Sequence, residues 1–118
     1  MSSIIFGTDG WRGLIGKEIN NDSISLVAQA FAVYMRNKTD KPKVAVAFDG
    51  RLHSGSFASI FAGILAANGI ETELSDRILP TPVLSFHVAK FSFDAGAMIT
   101  ASHNPSTYNG IKFKASHG

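Results

Sequence analysis

The sequence predicts a layered α/β/α domain with a mainly parallel sheet and an antiparallel last strand. Three observations carry this. Val44-Ala45-Val46-Ala47-Phe48 is an unbroken apolar run, as in a central strand covered on both faces. Ile24, Val27, Ala28, Phe31 and Met35 repeat at the helical period, so one helix face is buried. Helical and strand patterns then alternate along the chain, as layered α/β units require.

The elements follow in order. Ile4-Ile5-Phe6 fits a short edge strand, and a glycine-rich loop follows from Gly7 to Gly16. Asp22 or Asn21 can cap a helix beginning near Ser23, and the polar turn from Lys38 to Pro42 ends it. After strand 44–48, Asp49-Gly50-Arg51 reads as a turn, with a structural or loop-ordering role. A second helix fits Gly55 to Asn68, closed by Gly69. Ile70 to Leu74 is a short strand. Thr81 is the expected cap of a third helix, with Pro82 in its first turn and its end near Lys90. Ala95 to Thr100 is the next strand. Asn109-Gly110 is a turn signal, and Ile111 to Lys114 is the last short strand. Both polar loops, Asp49-Gly50-Arg51 and Ser102-His103-Asn104, leave the carboxyl ends of central strands, the edge where open α/β sheets bind ligands.

Composition limits the function classes. The 118 residues allow one domain, and 45% hydrophobic content supplies a core for it. A net charge of +2 with scattered basic residues gives no nucleic-acid footprint. The absence of cysteine excludes disulfides, thiol catalysis and Cys-zinc sites. No apolar stretch is long enough for a membrane span, and residues 1 onward show no basic region followed by an apolar core, so a secretion signal is not expected. A cytoplasmic location is the expectation.

The chemistry concentrates at Thr100-Ala101-Ser102-His103-Asn104-Pro105 and, just after it, Tyr108-Asn109-Gly110-Ile111-Lys112-Phe113. Ser102 falls where an apolar strand runs into a polar turn, a position that can hold a serine on a rigid base and let it face a cleft. A free hydroxyl is a poor nucleophile and needs help. A Ser102–His103 hydrolase pair is disfavoured, because adjacent residues of an extended chain point to opposite sides and no Gly-x-Ser-x-Gly elbow is present. Gly13 to Glu18 is no nucleotide P-loop: the spacing is short and Glu18 stands where Ser or Thr would hold a metal.

The serine string resembles the active-site loop of the alpha-phosphohexomutases, the phosphoglucomutase and phosphomannomutase superfamily. Phe6-Gly7-Thr8-Asp9-Gly10-Trp11-Arg12-Gly13 is similar to that family's opening loop. The resemblance implies that Ser102 carries phosphate, gives it to a hexose phosphate to form a hexose 1,6-bisphosphate, and then receives the other phosphate. It implies catalytic roles for Ser102, His103, Lys112 and Arg12. Arg12 would balance the added negative charge, and Lys112 would move the proton of the reacting hydroxyl. Thr8, Asp9, Gly10 and Asn104 would bind substrate or phosphate. Lys114 would share the strand face of Lys112, and only the motif favours Lys112. Trp11 could lie over a sugar, but packing is the expected role.

The same resemblance implies Mg2+ held partly by the phosphate on Ser102. The family's Asp-Gly-Asp-x-Asp-Arg loop, its sugar-specificity loop and its phosphate-clamping loop do not occur in this sequence. The expectation is therefore a shortened domain I, spanning residues 1–118 and inactive alone, whose partners are hexose phosphates and the remaining domains. A sheet lacking a covering helix would expose apolar surface, so self-association is also expected. The competing reading is a non-catalytic phosphate-binding or interaction domain on the same fold.

Overall fold

The computed structural model describes residues 11–51, 53–101 and 107–117. Their elements are β1 (Trp11–Leu14), α1 (Asn21–Lys38), β2 (Lys43–Phe48), α2 (Ser54–Ala67), β3 (Glu71–Leu74), α3 (Thr81–Lys90), β4 (Ala95–Ile99) and β5 (Tyr108–Ala115). The strands form one sheet in the order β1-β5-β4-β2-β3. β2 runs parallel to both β3 and β4, whereas β5 is antiparallel to both β4 and β1. Four strands thus share one direction and β5 opposes them, as expected for the last strand.

The two faces of the sheet are covered unequally. Alternate residues of a strand face opposite sides. Val44, Val46, Ala97, Ile99 and Ile111 pack with the buried sides of α1 and α2 in the main core. Ala45, Ala47 and Met98 pack on the other face with Leu84 and Val88 of α3 and with Phe93. Phe31 of α1, half-buried, stacks on Phe113 of β5 at 4.5 Å between ring centroids and lies against Phe61 of α2 at 5.9 Å. One aromatic cluster therefore ties both helices to the antiparallel half of the sheet.

Several local readings change. Trp11–Leu14 is a strand, although Gly13 makes this stretch look like loop. A Cβ on Gly13 would stand 2.5 Å from Glu18 Cβ, and Glu18 Oε1 accepts the Leu14 amide at 3.0 Å. Gly13 thus makes room for a side chain of its own turn. Trp11 is buried in the main core, which is the packing role. The cap of α1 is Asn20 rather than Asn21 or Asp22. Its side chain accepts the Ser23 amide at 2.8 Å while Ser23 Oγ accepts the Asn20 amide at 3.0 Å, a reciprocal capping box. At α3 the cap position is Pro80, so Thr81 already lies in the first turn beside Pro82.

The largest difference is β5. It begins at Tyr108, and Asn109-Gly110 lies inside it instead of forming a turn. Gly110 pairs with Arg12 of β1. An added Cβ there would collide with the Trp11 carbonyl oxygen and approach Arg12 Cα to 2.8 Å. The glycine is required by close backbone approach, not by a left-handed conformation. β5 is accordingly an interior strand between β4 and β1, not an edge. The expected Ile4–Phe6 strand and the Gly7–Gly10 part of the loop lie outside the described residues.

Candidate active site

The strand order fixes where a site can form. From β2 the chain crosses through α2 to β3 on one side, and from β4 it turns to β5 on the other. The outgoing connections diverge between two adjacent parallel strands, which opens a crevice at their carboxyl ends. Asp49-Gly50-Arg51 leaves β2 at this crevice. Thr100 and Ala101 leave β4 there and lead directly into Ser102.

The floor of the crevice is a polar network centred on the Asp49 carboxylate. Its Oδ2 accepts the Thr100 hydroxyl at 2.5 Å and faces Arg51 Nε at 3.5 Å. Its Oδ1 accepts the Arg51 amide at 3.0 Å and the Ser54 hydroxyl at 2.9 Å. Ser54 Oγ in turn accepts Asn109 Nδ2 at 2.9 Å. Arg51 Nη1 donates to the Tyr108 carbonyl at 3.3 Å. Main-chain bonds close the frame: the Asp49 amide donates to Ile99 O, and the Thr100 amide to Gly110 O. Ser54, Thr100 and Asn109 are the buried polar residues among those described. Burying such groups is tolerable because they satisfy one another.

Of the sequence-predicted site residues, the structure describes Arg12 and Lys112. Arg12 lies opposite Gly110, and Lys112 lies opposite Met98. Register and alternation put both on the α3 face of the sheet as diagonal neighbours, about 7–8 Å apart by sheet geometry. Both are half-buried. Gly110, between them, leaves this part of the face low. Lys114 follows on the same face, opposite Gly96. The structure describes α3 contacts chiefly over β2 and β4, so the Arg12–Lys112 end lies beyond the main α3 cover. Ser102, His103, Asn104, Thr8, Asp9 and Gly10 lie outside the described residues. Among the other histidines, His87 pairs with Glu73 at 2.8 Å and stacks near Phe91 and Phe93, a role in packing α3 against β3.

The sequence alone assigns no role to Thr100, Ser54 or Asn109. The available signal is their polarity at positions that strand and helix patterns bury. Asn109, beside Gly110, reads instead as half of a turn.

Sheet order, crevice and network together define a layered α/β domain with a polar crevice at the carboxyl ends of β2 and β4. The family model for the phosphoglucomutase/phosphomannomutase alpha/beta/alpha domain I matches residues 3–118, and this chain belongs to that family. A phosphoglucomutase of Staphylococcus epidermidis is 43% identical over 120 residues, covering 99% of this chain and 22% of the relative. A phosphomannomutase-like protein of Thermus thermophilus has a crystal structure that superposes with a TM-score of 0.93. It is 38% identical, over 98% of this chain and 26% of that one. A phosphoglucomutase/phosphomannomutase family protein of Burkholderia thailandensis gives a TM-score of 0.83 at 31% identity, over 97% of this chain and 26% of that one. The chain therefore spans about a fifth of the length of the curated relatives it matches.

Proposed function

We propose that this domain supplies the phosphate-carrying serine of a phosphohexomutase, interconverting hexose 1-phosphates and hexose 6-phosphates. The observation that carries the reading is the placement of Thr100-Ala101, and hence the start of the serine string, at the β2/β4 crevice. Two cationic side chains, Arg12 and Lys112, share one sheet face beside it.

In this reading the phosphoserine P–O bond breaks as a sugar hydroxyl oxygen bonds to phosphorus. With help from Lys112 the hydroxyl proton passes, in net terms, to the departing Ser102 oxygen, which becomes a free hydroxyl, and His103 contacts the reacting groups. The product is a hexose 1,6-bisphosphate. After it turns over, its other phosphate returns to the Ser102 oxygen, and the isomerised monophosphate departs. Arg12 offsets the charge that phosphate adds to the loop. Thr8, Asp9, Gly10 and Asn104 bind the phosphate or sugar.

Among the described residues no group of three or more His, Cys, Asp or Glu could hold a metal ion. The described part of this chain does not by itself fit a magnesium site. In the proposed enzyme Mg2+ would be held by the Ser102 phosphate together with carboxylates supplied from outside these 118 residues. The rest of a longer polypeptide also grips the distal phosphate, and positioning of that kind is worth several kcal/mol of barrier. The 118-residue chain alone is therefore inactive as a mutase. Its partners are hexose phosphates and the remaining domains, in the cytoplasm. Without those domains the isolated chain self-associates, aided by exposed Val83, Phe86 and Phe91.

The test is mutase activity of a full-length polypeptide carrying this domain, with glucose 1-phosphate and mannose 1-phosphate as substrates. Conversion through a bisphosphate, abolished in Ser102→Ala, supports the reading. Binding of phosphate without conversion sinks it in favour of a non-catalytic binding domain.

A further inference from the structure

We infer that the Asp49 carboxylate is the positioning group that couples the serine-bearing strand end to the lysine-bearing strand. The inference rests on the proposed roles of Ser102 and Lys112. Thr100 immediately precedes Ala101-Ser102, and its hydroxyl donates to Asp49 Oδ2 at 2.5 Å. Lys112 lies three residues after Asn109, whose side-chain amide donates to Ser54 Oγ at 2.9 Å; Ser54 then donates to Asp49 Oδ1 at 2.9 Å. The two oxygens of one carboxylate thus tie Thr100, two positions before the proposed nucleophile in sequence, to β5, which carries the proposed proton-transfer group.

The donor and acceptor inventory supports this wiring. A serine hydroxyl has one proton and free lone pairs. Ser54 gives its proton to Asp49 and accepts one from Asn109, so it relays the link without an unsatisfied group. Arg51 adds a parallel strut, with Nε against Asp49 Oδ2 at 3.5 Å and Nη1 on the Tyr108 carbonyl at 3.3 Å. Asn109 Oδ1 accepts its neighbour Gly110's amide at 2.9 Å, fixing the amide plane. The network is mostly buried: Asp49 and Arg51 side chains retain 24% and 13% exposure, and Ser54 and Asn109 none. Buried networks of this kind act cooperatively, so cutting one link weakens the others.

The experiment compares Thr100→Val, Thr100→Ser, Ser54→Ala and the Thr100→Val/Ser54→Ala double variant. Amide hydrogen exchange on the 118-residue chain reads both strands; kcat and KM are read on a full-length polypeptide. Ser54→Ala should speed exchange at Thr100, just past the end of β4, as well as at Asn109 and Gly110 on β5, by roughly tenfold. Thr100→Val should do the same at Asn109, and Thr100→Ser should restore the native rate. The double variant should be little worse than either single one. In the full-length enzyme, Thr100→Val should lower kcat at nearly constant KM, and Thr100→Ser should recover it.

Effects confined to each variant's own element, with an additive double variant, would overturn the coupling. So would altered exchange with unchanged kcat, which would leave Asp49 a stabilising role only. If Thr100→Val does not fold, exchange at Thr100 in Ser54→Ala decides. A full-length wild type without mutase activity would fail the proposed function, while the exchange results would still decide whether Asp49 couples the strands.

Discussion

Gly110→Ala is the sharpest test of how the strands bearing Arg12 and Lys112 meet. The new methyl carbon would overlap the Trp11 carbonyl oxygen and sit 2.8 Å from Arg12 Cα. Both obstacles are backbone, so no rotamer change relieves them. β1 must move away from β5, and its four-residue register, Trp11↔Ile111 to Leu14↔Tyr108, is short enough to be lost with it. Overpacking costs about 1–3 kcal/mol, and each ladder bond given up costs about 0.5–1.5 kcal/mol more. The expected loss is about 2–5 kcal/mol, a large share of a domain's total of roughly 5–15 kcal/mol. Urea unfolding followed by circular dichroism should show a midpoint lower by at least about 0.7 M with an unchanged slope. A midpoint within about 0.3 M of wild type would refute the close approach, since a slope near 1–3 kcal/mol per M leaves no room for the predicted cost.

Three further outcomes follow from the same geometry. Gly63→Ala, on an exposed turn of α2 with nothing within 4 Å of the new Cβ, should stabilise by about 0.5–1 kcal/mol in the same urea assay. Gly96→Ala would push a methyl to 2.7 Å from Val88 Cγ2 and should cost about 1–3 kcal/mol; adding Val88→Ala should return part of that loss, a coupling readable by double-mutant cycle. Asn20→Ala removes the α1 capping box and should lower stability by about 1 kcal/mol, with faster amide exchange in the first turn of α1.

Much of this architecture is legible in the sequence because burial leaves a periodic mark. The apolar run of β2, the helical stripe of α1 and the small-residue strand of β4 each state their surroundings directly. Register is harder to read. Asn109-Gly110 carries the same letters whether it turns a chain or admits a neighbouring backbone, and only the position of β1 decides. Gly13 misleads for a related reason, since the space it leaves is filled by Glu18. The cap of α1 shifts by one residue because Asn20, Asn21 and Asp22 are all able caps, and the partner hydroxyl of Ser23 selects among them.

The candidate site is legible as a string of residues, and its support is not. Ser102, His103 and Lys112 announce themselves through motif resemblance. The Asp49–Ser54–Asn109 link joins a loop, a helix and a strand, and its second step spans 55 positions of sequence. No local pattern encodes it. Polar residues at buried positions are the trace it leaves, visible once the elements are placed.

Phosphosite mapping asks whether Ser102 carries the phosphate. The purified chain, and a full-length polypeptide carrying it, would be incubated with a hexose 1,6-bisphosphate and magnesium, then measured by intact mass and peptide fragmentation. One added phosphate is expected on Ser102 in the full-length protein, absent from Ser102→Ala. Phosphate on Ser116 instead, or a full-length protein that takes up none, would contradict that assignment.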